Sequence, residues 1–122
     1  MQISEKYRRG IVVPLDANSA RAMADENVDE SIRVHFVEIP NQDDFDTIWK
    51  TGIFEAINEK IGSMLDDYEE ESISAEMIPS LREIVSIYEK KLSSDASGWF
   101  FSELLKVCDV AQNSGMPIYF VL

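Results

Sequence analysis

An uncharged run, Met116-Pro117-Ile118-Tyr119-Phe120-Val121-Leu122, follows Gly115 and leaves the chain few ways to fold. Short and rich in β-branched and aromatic residues, it reads as a strand. Its apolar residues do not alternate with polar ones, so both faces should be covered, the habit of an interior strand. The other elements are expected to gather around it.

Upstream, residues 1 to 15 read as extended. Ile3, Glu5 and Tyr7 alternate with Gln2, Ser4 and Lys6, and Ile11-Val12-Val13 is ended by Pro14. Gly10 is either a turn between two short strands or a bulge within one. Between Asp16 and Glu30 the signals are mixed, with Asn18 or Ser19 placed to cap a short helix. Ser31 to Ile39 reads as a strand, with Ile32, Val34 and Phe36 on one face and Arg33, His35, Val37 and Ile39 on the other.

The middle of the chain has helical periodicity. Phe45, Ile48, Trp49, Ile53, Ala56, Ile57, Ile61, Met64, Leu65 and Tyr68 keep a spacing of three and four. Asn41, Asp43 or Asp44 is placed to cap it, and Gly52 is either a weak point in one helix or a break between two. A second stripe runs from Met77 through Leu92, with Pro79 at its first helical position. After the loop Ser93–Gly98, a third stripe carries Phe100, Phe101, Leu104, Leu105, Cys108 and Ala111, with Gly115 as its stop. The expected order is strand, strand, three helices, strand. That is an α+β fold in one domain, 1–122: a small sheet with the C-terminal strand interior, covered by two or three helices.

Chemistry is sparse in this pattern. His35 is the only histidine, which excludes a His-His metal site and a multi-histidine relay. Cys108, the only cysteine, falls on an apolar stripe, where a thiol behaves as a small hydrophobe. Neither is expected to be functional. Asp43-Asp44-Phe45-Asp46 lacks the glycine and distal glutamate of a calcium loop, and capping accounts for it. No phosphate cradle or nucleophile elbow is present. No cofactor, metal or catalytic residue is expected.

What remains is charge. Eleven Lys plus Arg stand against twenty-three Asp plus Glu, a formal net charge of −12 that disfavours nucleic acid and anionic membrane and suits either a cationic protein partner or simply solubility. Asp66, Asp67, Glu69, Glu70 and Glu71 crowd around Tyr68, at or just past the expected end of the long helix, where the dipole disfavours acids. The segment is either a solvated helix end or a partner-binding surface. Lys6, Arg8 and Arg9 form a basic cluster that can pair with it, within one molecule or between two. With a single cysteine, no secretory signal and no apolar run of membrane length, a cytoplasmic location is expected.

The segment "LDDYEEESIS" and the ending "ELLKVCDVAQNSGMPIYFVL" resemble small acidic bacterial toxin-immunity proteins. The ending is also similar in pattern to barstar-type nuclease inhibitors. Element order departs from barstar, and no contact residue carries over. The resemblance implies a non-enzymatic inhibitor that neutralises a cationic toxin by occluding its active site. An adaptor or structural subunit binding through a sheet edge or helix face is the alternative, ahead of a small enzyme.

Overall fold

The computed structural model describes all 122 residues. In chain order the elements are α1 (Ile3–Lys6), β1 (Gly10–Pro14), α2 (Ala17–Ala24), β2 (Val34–Glu38), α3 (Gln42–Lys50) and α4 (Ile53–Ile61). They continue with β3 (Glu70–Ile73), a 3-10 turn (Ala75–Met77), α5 (Ile78–Leu92), α6 (Gly98–Ser114) and β4 (Ile118–Val121). The four strands form one antiparallel sheet in the order β2-β1-β4-β3, an α+β arrangement. The C-terminal strand is interior, as its unbroken apolar run requires.

Alternation along the strands sorts two cores. Ile11 and Val13 of β1, Val37 of β2 and Ile118 and Phe120 of β4 face the helices. There they meet an aromatic column in which Phe54 lies edge-on to Phe100 at 6.3 Å and to Phe120 at 6.4 Å. Each such pair adds about 0.5–1.5 kcal/mol beyond the area it buries. The opposite face presents Val12 and Val121 to Ile3, Met23 and Val28, with Val34, Phe36 and Tyr119 packed alongside.

Several expectations are corrected. The N-terminal residues are not extended: Ile3–Lys6 is a single helical turn, because burying Ile3 on the second face outweighs the alternation. Gly10 begins β1, and a Cβ there would lie 2.1 Å from the Val37 carbonyl oxygen, so the close strand approach requires glycine. Neither Asn18 nor Ser19 caps α2. Asp16 does, accepting from the Ser19 N–H at 2.7 Å, while the Ser19 hydroxyl accepts from the Arg33 N–H at 2.8 Å. That contact and the Asp29–Ser31 turn shorten the second strand to Val34–Glu38. Its faces divide as the sequence indicates.

The largest correction lies in the middle. Gly52, with φ of 82°, breaks the long stripe into α3 and α4, and Asn41 caps α3 through the Asp44 N–H at 2.8 Å. Gly62, with φ of 81°, stops α4 after Ile61. The stripe beyond it, Met64-Leu65-Tyr68, is not helix. The chain instead turns and adds β3 along the free edge of β4, so a fourth strand precedes the last two helices.

Candidate functional site

The acidic segment therefore does not end a helix. Asp66 lies five residues past Ile61, beyond the last turn over which a dipole acts, so no helix dipole disfavours these acids. Asp66, Asp67, Tyr68 and Glu69 form a turn, and Glu70 and Glu71 are the first residues of β3. The turn is held by polar contacts. From α4, the Asn58 amide accepts from the Leu65 N–H at 2.7 Å and donates to the Leu65 carbonyl at 2.9 Å. The Ser63 hydroxyl donates to the same amide oxygen at 2.8 Å. Glu71 accepts from the Met64 N–H at 3.1 Å, and the Glu69 carbonyl accepts from the Leu122 N–H at 2.9 Å. Leu65, 3 % exposed, is the one apolar anchor of the turn.

The basic cluster meets this turn within one molecule. The Arg9 guanidinium pairs with Asp67, donates to Gln42 Oε1 at 3.3 Å and lies 3.8 Å above the centre of the Phe45 ring. It fastens β1, α3 and the turn to one another. Tyr68 stands next to this ion pair with φ of 62°, a left-handed conformation that a bulky residue seldom adopts. Its ring is 5.2 Å from the Arg8 guanidinium carbon and 5.3 Å from that of Arg9. Lys6 turns away instead, to Glu30 at 3.7 Å.

The turn displays apolar surface among its acids. Met64 is 77 % exposed and Tyr68 is 74 % exposed, more than any other large apolar side chain in the molecule. Asp66, Glu69 and Glu70 are exposed beside them, whereas Asp67 and Glu71 are half-buried in the contacts just described. Burial and then the Glu70 charge push up the Tyr119 hydroxyl on the neighbouring strand, consistent with negative potential there.

The other candidates lie elsewhere. Cys108 is fully buried on α6, and burial pushes its thiol up to about 12, which leaves negligible thiolate at neutral pH. His35 sits opposite Val13 on β2, its Nε2 buried without a hydrogen-bond partner. No group of three or more His, Cys, Asp or Glu side chains is placed to hold a metal ion, and no helix is long and apolar enough to cross a membrane. Met64, placed by its spacing on the helical stripe, is instead displayed, and the sequence carries no sign of the Asn58 contacts or of Arg9 turned inward. Only the Gly62-Ser63 pair, a turn signal inside an apolar stripe, marked the break that displays Met64. Comparison with protein-family models, with curated proteins and with solved structures gave no match.

Proposed function

We propose that this chain is a non-enzymatic binding protein whose segment Asp66 to Glu71 docks on a cationic site of a partner protein, as an immunity protein covers the active site of a toxin nuclease. The observation that carries the reading is the pairing of Met64 and Tyr68, the two most exposed large apolar side chains, with three exposed carboxylates on one tethered segment, Met64 to Glu70. An exposed aromatic on a pre-ordered loop loses little entropy on docking, and such residues serve as anchors of protein interfaces. A nuclease site is cationic because it holds phosphate, so acids beside the anchor steer and speed the encounter. The resemblance of the segment to toxin-immunity proteins points the same way.

The test spares Asp67 and Glu71, which tie the turn to its neighbours, and Asp66→Asn keeps the Oδ1 that accepts from the Asp67 N–H at 2.8 Å. Asp66→Asn, Glu69→Gln and Glu70→Gln are combined, and the partner captured by wild-type protein from its native cells is titrated against both forms. Association of the variant is expected to slow by ~10-fold or more at low salt and to lose much of its salt dependence. An unchanged rate and salt slope would defeat the reading and direct attention to the sheet edges at β2 and β3, where an adaptor would bind.

A further inference from the structure

Two consecutive arginines approach the ring of Tyr68 at nearly the same distance, yet they are held in opposite ways. Arg9 is 12 % exposed and has an acid, an amide and a second ring as partners. Arg8 is exposed and joins no salt bridge, in a chain with twice as many acids as bases. It nonetheless stands over Tyr68, and both line a cavity of ≈ 340 Å³ together with Glu26, Glu69, Glu70 and Val121.

The concavity, the aromatic face and the unpaired guanidinium on it are separate observations with one chemical meaning. An aromatic face attracts a flat, weakly hydrated cation, and carboxylates around it raise the local concentration of such cations. An exposed arginine on that face, with no ion pair to retain it, is replaceable. We propose that the Tyr68 face of this cavity binds an arginine side chain of the partner, and that Arg8 occupies the face in the free chain as an intramolecular competitor. The proposal rests on the reading of the acidic segment as a partner-binding surface and names the group that surface takes. A partner arginine must displace Arg8, so apparent affinity is reduced by the fraction of molecules in which Arg8 is in place. Arg9, tied on three sides, stays and holds the turn.

The test needs no partner. N-acetylarginine amide is titrated into wild type, Arg8→Gln and the triple variant Arg8→Gln, Glu69→Gln, Glu70→Gln, with N-acetylcitrulline amide as the uncharged isostere. Binding is read from the Tyr68 ring proton shifts. The arginine probe is expected to give a saturating shift whose midpoint falls by about 2–5-fold in Arg8→Gln, the range of an exposed cation–ring contact. The midpoint should rise again in the triple variant, and citrulline should give no saturation. Equal midpoints in wild type and Arg8→Gln, or an equal response to citrulline, would overturn the proposal. Because no partner is involved, those results would leave the salt-dependent association experiment standing, and a failed association experiment would leave the probe result to be read alone.

Discussion

The α5–α6 hairpin and the segment from Gly62 to Ile73 are held to the same sheet by opposite means. Leu81, Ile84 and Val85 of α5 and Phe101, Leu104, Val107 and Cys108 of α6 are buried in one apolar core. Their only cross-helix ion pair, Arg82 to Asp109 at 2.8 Å, lies on the exposed side. The segment buries Leu65 and Ile73 and otherwise depends on the backbone ladder of β3 to β4 and on an amide, carboxylates and a guanidinium. Apolar burial is non-directional and stabilises many similar arrangements. Directional polar contacts favour one geometry and supply less net free energy. The hairpin and its strand provide stability, and the segment provides a fixed shape.

The sharpest way to break that contrast is to remove the common support. Deleting Ile118 to Leu122 takes out four residues exposed by no more than 1 % together with the half-buried Tyr119. Each full burial of this kind is worth ~1.5–3 kcal/mol, against a typical domain stability of about 5–15 kcal/mol. The shortened chain should show no cooperative melt, and a transition near that of the full chain would mean that the sheet does not depend on β4. Asn58→Ala should have an intermediate effect. It leaves the Leu65 N–H and carbonyl without their partner, a loss of about 1–3 kcal/mol. Hydrogen exchange should accelerate at the Leu65 and Met64 amides while the α5 and α6 amides keep their relative protection; uniform acceleration would show that the turn and the core are one unit. Tyr68→Gly should change stability least. Relief of the left-handed strain, of order 1–3 kcal/mol, offsets two ring–cation contacts of about 0.5–1 kcal/mol each. The melting temperature should hold or rise slightly while partner residence time falls. A clear drop in melting temperature would make Tyr68 structural instead of displayed.

The same contrast explains what could be read from the sequence. The hairpin and β4 were legible because their apolar stripes are long, Pro79 marks a start, and Gly115, with φ of 68°, marks a stop just before a strand-forming run. The site was legible only as a concentration of charge. Leu65 falls four residues after Ile61 and is buried, so it continues a helical stripe in phase although it anchors a turn. Met64 and Tyr68 also keep that phase, and the structure gives them the greatest exposure of any large apolar side chains. β3 carries one buried apolar residue, Ile73, and forms because the edge of β4 offers backbone partners from Val121 to Ile118. That is a tertiary cause with no local signature. Arg9 likewise reads as one of three neighbouring cations until Phe45 and Asp67 are brought beside it.

The register that sets Ile11 against Phe120 closes the longest loop of the sheet. Helices α5 and α6 are adjacent in sequence and close on each other through a short loop, so they can associate early. The β1–β4 pairing must close a loop that includes α2 to α6, and pairings of such separation slow a mixed domain relative to a helical bundle. β3 has no strand neighbour except β4, and the acidic turn hangs between β3 and Asn58. The display of Tyr68 thus depends on β4 being in place, so a partner docking on the turn as proposed would recognise only a chain whose sheet is complete.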